Sequence, residues 1–248
     1  MIKSPFILVL FAGFAFSACG NSDKSEQNAT SNLPGITENE NKGIKEIMAL
    51  YGGQYKCAKG TNVSINSGKR NYFKIEIRGS EVIEKYANVF EMPASNAAYL
   101  IYRNLGDEKK NYDIITIVLV LKNGSETIYD FPTDELEVVV NKMPLVNKFL
   151  DLLNAKNFEG VNSMLTADTS LINYDRNEFI TRLRDAEPKL GPIKEFIPYG
   201  FRFTKLSDGR EVLHISGMLL REIQNIEFSA DIDLSSRKEE IIKMNYKL

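Results

Sequence analysis

The chain has 248 residues, 43% of them hydrophobic and 26% charged, and 31 Lys+Arg against 33 Asp+Glu leave a formal net charge of −2. A balance this even, with no long run of either sign, excludes nucleic-acid binding, which needs a concentrated basic surface. With 1 His and 2 Cys in the whole sequence, no metal cluster built on those residues is available either.

At the start of the chain Lys3 precedes an apolar run from Phe6 to Phe16, which closes in Phe16-Ser17-Ala18-Cys19. The run is too short to span a bilayer permanently and ends in small residues, as a cleaved secretory segment does. Phe16-Ser17-Ala18-Cys19 resembles the lipobox of bacterial lipoproteins, with Phe16 a departure from the aliphatic residue commoner at that position. The resemblance implies a signal peptide over residues 1–18 and acyl chains on Cys19, the mature N-terminus. Each buried methylene of such chains contributes about 0.8 kcal/mol, so the implied partner is a membrane, reached through Cys19. Gly20, directly after the cysteine, resembles lipoproteins passed on to the outer membrane. The implied localisation is therefore the bacterial cell envelope, as an outer-membrane lipoprotein facing the periplasm or the surface. Residues 19–42, rich in Asn, Ser, Glu and Thr, read as the lipid anchor and a disordered tether. With Cys19 acylated, no intrachain disulfide is left for Cys57, which reads as a small side chain in a strand.

From Gly43 the pattern predicts an α+β fold of two small domains, 43–142 and 143–248. In the first, Ile44, Ile47, Met48 and Tyr51 share a helical face that Gly52-Gly53 ends. Strands are expected at Gln54–Ile65 and Tyr72–Arg78, the latter with Phe73, Ile75 and Ile77 alternating. Ser80 caps a helix carrying Val82, Ile83, Tyr86 and Val89, and Pro93 opens another that runs to Leu105. The run Ile114–Leu121 reads as a strand buried on both faces, and Asn123-Gly124 turns it into Ser125–Phe131. Thr133 caps a helix through Lys142. These elements make an antiparallel or mixed sheet packed by helices.

The second domain places helices first, at Leu145–Asn154, Phe158–Leu165 and Asn177–Ala186. Four strands follow, at Tyr199–Lys205, Glu211–Arg221, Ile226–Leu234 and Ile241–Lys247. Phe228, Ala230, Ile232 and Leu234 share one strand face, as do Ile242, Met244, Tyr246 and Leu248. Such an order gives a curved antiparallel sheet wrapped around helices. The segment from Phe149 to Phe158, with Leu190-Gly191-Pro192-Ile193, resembles small exported domains of the cone-shaped nuclear-transport-factor-2-like type. Met92-Pro93-Ala94-Ser95-Asn96-Ala97-Ala98-Tyr99-Leu100 is similar to segments of hypothetical Gram-negative lipoproteins and implies no activity.

Chemistry is sparse in this sequence. No phosphate-binding glycine loop or nucleophile elbow occurs, and no catalytic residue, metal ligand or cofactor is assigned. His214 sits in a strand and reads as structural, facing solvent or hydrogen-bonded. Asp231 and Asp233 project together opposite the apolar face of their strand and read as a solvated pair. Met218 and Met244 read as packing residues. Tyr199, Phe201 and Phe203 alternate beside Gly200 and are the candidate pocket lining, against the alternative that they fill the core. The function expected is a non-enzymatic binding or interaction module, its partner an envelope protein or a small apolar ligand. The alternative is a lipid-anchored enzyme using carboxylate acid–base chemistry inside the C-terminal cone.

Overall fold

The structure, a computed structural model, describes residues 35–64, 68–86, 89–168, 175–235 and 240–246. The expected signal segment, Cys19 and Leu248 lie outside the described residues. The tether expected through Lys42 ends earlier, because helix α1 spans Glu38–Tyr51. Thr37 caps that helix: its hydroxyl accepts from the Glu40 N–H at 3.2 Å, and the Glu40 carboxylate accepts from the Thr37 N–H at 2.8 Å. Glu40 is buried and also meets Lys59 at 2.7 Å and the Tyr112 hydroxyl. A stretch with the composition of a linker thus contains a capping box whose acid belongs to the interior.

Strands β1 (Gln54–Ser64), β2 (Gly68–Arg78), β3 (Ile114–Val120) and β4 (Glu126–Pro132) form a mixed sheet in chain order. The outer pairs are antiparallel, while β2 and β3 run parallel and so require a crossover. That crossover holds α2 (Glu81–Glu84), α3 (Glu91–Asn104) and a 3-10 turn at Gly106–Asn111. Ser80 caps α2 as expected, accepting from the Ile83 N–H at 3.1 Å, but the helix stops at Glu84 instead of reaching Val89. Phe73, Ile75 and Ile77 are buried on one sheet face, which Ile115, Ile117 and Leu119 continue. Ile114 and Thr116, on the other face, are only half-buried. Val118 and Val120 on that face are buried, so β3 is enclosed on both sides toward its C-terminal end and not at its start.

Helix α3 has no exposed side from Pro93 to Tyr102, the signature of a helix inside a core rather than on it. It packs on β3 and β4, on α1, and across the gap on the first strand of the second sheet. Gly43 permits the approach of α1, since a Cβ there would lie 2.9 Å from the Cα of Ile101.

Helix α4 spans Thr133–Asn154 without a break at Pro144, where two separate helices were expected. The expected boundary between 142 and 143 falls within it. Proline costs an intrahelical hydrogen bond, but Val139, Met143, Val146, Phe149 and Leu150 are all buried and hold the helix together through that point. Thr133 is its first residue rather than its cap, and its hydroxyl donates to the carbonyls of Tyr112 and Asp113. Helices α5 (Phe158–Met164) and α6 (Arg176–Leu190) follow, then the antiparallel meander β5 (Ile193–Lys205), β6 (Glu211–Arg221), β7 (Ile226–Asp233) and β8 (Ile241–Tyr246). The fold class is α+β, helices preceding the second sheet as expected. Strand β5 begins well before Tyr199, because Pro198 sits at a bulge of an edge strand, where proline is tolerated. Buried side chains of both halves, from Ile44 through Leu105 and Phe149 to Tyr246, belong to a single apolar cluster. The two sheets share one core.

Candidate functional site between the two sheets

Strand β4 ends the first sheet and β5 begins the second, so each lacks a strand partner along one edge. Helix α3 ties β5 to the first half. The Ser95 hydroxyl accepts from the Phe201 N–H at 2.9 Å and donates to the Met92 carbonyl at 3.0 Å. Gly200 makes the approach possible, since a Cβ there would overlap the Met92 carbonyl oxygen. This contact brings the aromatic residues of two distant strands together. Phe131 meets Phe201 edge-on with ring centroids 5.9 Å apart, Phe203 meets Phe201 at 5.9 Å, and Tyr129 stacks on Phe131 at 6.4 Å.

Two cavities of about 360 and 240 Å³ open along this row, joined through Phe203 and Glu135, which line both. Aromatic and aliphatic side chains contribute to their walls, from Tyr129, Phe131 and Phe201 on one side to Val138 and Leu234 on the other, together with polar and charged ones. Carboxylates rim them: Glu91 at the start of α3, Asp130 on β4, and Asp134 and Glu135 in the first turn of α4, where the helix dipole favours negative charge. None of these four is in an ion pair among the described residues. Burial pushes the Glu135 carboxyl up from its ordinary range, with the charge of Asp134 adding to it. Burial likewise raises the Tyr129 hydroxyl, helped by Glu91. Against them stands Arg202, while Lys205 is neutralised by Glu211 at 3.1 Å. The site is a groove of aromatic and charged lining in which acids outnumber bases.

No protein family, curated protein or solved structure matches this chain. Its chemistry is therefore read from the groove alone.

The three aromatic candidates divide. Phe203 is half-buried and lines both cavities, and Phe201 is the buried floor of the smaller one. Tyr199 lines neither and packs on Tyr86 at 5.9 Å. Burial pushes its hydroxyl up to about 12, with Tyr86 and Glu227 as lesser causes. His214 pairs with Asp231, Nδ1 to Oδ1 at 2.6 Å, within a row of cross-strand neighbours Arg202, His214, Asp231 and Lys243. Asp233, expected beside Asp231 in solvent, is buried instead. Arg210 lies 4.0 Å from it, and its carboxylate accepts the Ser235 N–H at 2.8 Å. Cys57 is half-buried, opposite Ile75 on β2. Met244 is buried in the core as expected.

Between the second sheet and the helices that precede it the side chains are packed. Phe228 packs against Phe149 and Phe196 with centroids 6.1 and 5.7 Å away. Glu187, buried there, accepts from both terminal nitrogens of Arg221 at 3.1 and 2.8 Å and from the Tyr246 hydroxyl. The groove residues that sequence reasoning missed are Tyr129, Phe131 and Glu135. Tyr129 and Phe131 do alternate along their strand, but their meeting with Phe201 depends on how the two sheets are placed.

Proposed function

We propose that this protein is lipid-anchored in the bacterial cell envelope through Cys19, on the outer membrane, and acts as a non-enzymatic binding module. The Phe16-Ser17-Ala18-Cys19 motif supports the anchor. Among the described residues no helix is long and apolar enough to cross a membrane. The C-terminal half is a cone of the nuclear-transport-factor-2-like type, a reading supported by its three helices followed by a four-stranded meander. The binding role rests on one observation: an open groove runs along Phe201 and Phe203, while the buried acid Glu187 of the same half is engaged by Arg221. A carboxylate acid–base enzyme needs a free acid inside that cone.

Two measurements test the two parts. Changing Cys19 to Ala is expected to move the protein from the membrane to the soluble fraction, and complete retention in membranes would remove the anchor from the proposal. In-cell crosslinking of the lipidated protein is expected to capture a stoichiometric partner that Phe203→Ala loses. An unchanged crosslinking pattern in a folded Phe203→Ala variant would place binding elsewhere.

A further inference from the structure

We propose that the groove takes an extended peptide segment bearing lysine or arginine, which adds as a strand to the free edge of β5 at Phe203 and Lys205. This rests on the binding-module reading and names the ligand class of that site. The Phe201 N–H turns away from β6 to reach Ser95, and the Leu206 N–H turns toward the Arg210 carbonyl. Register is continuous from Phe201 opposite Ile215 to Lys205 opposite Glu211. Hydrogen-bonding direction alternates along an antiparallel strand, so the backbone N–H and C=O of Phe203 and Lys205 point outward.

At two other points the same edge is met by side chains. The Asn154 amide accepts from the Ile193 N–H at 2.8 Å and donates to its carbonyl at 3.3 Å, and Ser95 satisfies Phe201. Beyond Phe201 the two cavities flank Phe203 and leave the edge open. Edge strands are commonly blocked by a lysine, yet Lys205 is drawn off to Glu211. An added strand would lay alternate side chains against Phe203 and Val138 and present the others to the rim. There Glu91, Asp134 and Glu135 call for cations. Strand addition with side-chain pockets is an established mode of peptide capture.

The test uses full-length protein in detergent and three fluorescein-labelled hexapeptides followed by anisotropy. The probes are acetyl-Val-Lys-Val-Lys-Val-Lys-amide, its Glu-for-Lys counterpart, and a version N-methylated at alternate residues. The lysine probe is expected to bind saturably, with each of the others weaker by about tenfold or more, as loss of one or two backbone hydrogen bonds or of the charge match implies. Glu91→Gln with Glu135→Gln, both exposed positions, is expected to weaken the lysine probe several-fold. No saturable binding would overturn the proposal, as would equal binding of the N-methylated or the glutamate probe. If the lysine probe fails while Phe203→Ala still abolishes crosslinking in cells, the groove remains a binding site and peptide addition is excluded.

Discussion

Arg221 carries its guanidinium to the end of β6 with no exposed side-chain surface, and Glu187, the Gly191 carbonyl and the Tyr246 hydroxyl surround it. A buried pair of this kind costs desolvation energy that its Coulombic attraction only partly returns, but removing one partner strands the other. Glu187→Leu should therefore destabilise the protein by about 3–5 kcal/mol, and adding Arg221→Met should restore most of that, as read from urea-unfolding midpoints. Burial raises the Tyr246 hydroxyl, its bond to Glu187 acting in the same direction. Tyr199 is raised from 10.0 to about 12. A group whose folded value lies above its unfolded value contributes stability that is complete below the unfolded value and lost as pH rises toward the folded one. Stability should accordingly fall between pH 10.0 and about 12, with phenolate absorbance lagging behind that of the urea-unfolded chain. Single residues were legible in the sequence wherever one element decided them. Ser80 as a cap and Phe73, Ile75 and Ile77 as a buried face follow from local pattern. Asp233 did not, because its burial depends on Arg210 reaching it from the turn between β5 and β6.

Helix α4 joins the two halves, and Pro144 sits in its middle. The ring removes the hydrogen bond to the Val140 carbonyl, so Pro144→Ala should stabilise the helix by about 1–3 kcal/mol, measured as a raised unfolding midpoint with unchanged helical circular dichroism. Reading the chain locally, proline marks a boundary. Packing overrides it because buried residues on both sides of Pro144 face the same core. The same override explains why β5 starts before its proline and why α1 starts inside what reads as tether. For the groove, each strand's alternation was visible, but the meeting of Phe131 with Phe201 was not, since it depends on Gly200 pressing against α3. Acids in the first turn of α4 read locally as ordinary helix-start residues. Only the arrival of Phe203 and Leu234 beside them makes them the rim of a site.

At the scale of the molecule, a shared core predicts one cooperative unit rather than two. Unfolding followed by tyrosine fluorescence and by far-ultraviolet circular dichroism should give coincident transitions, and a fragment starting at Leu145 should not fold alone. Two separated transitions would mean that the halves hold independently. The amide of Phe201 and the hydroxyl of Ser95 that it meets are 106 residues apart in sequence. Synthesis proceeds from the N-terminus, so α3, buried all round from Pro93 to Tyr102 in the folded protein, emerges long before β5 exists to cover it. Contacts of such long range slow folding and prolong the exposure of sticky intermediates. The cover that β5 gives α3 is therefore completed only after the first strand of the second sheet has been made, 106 residues after Ser95.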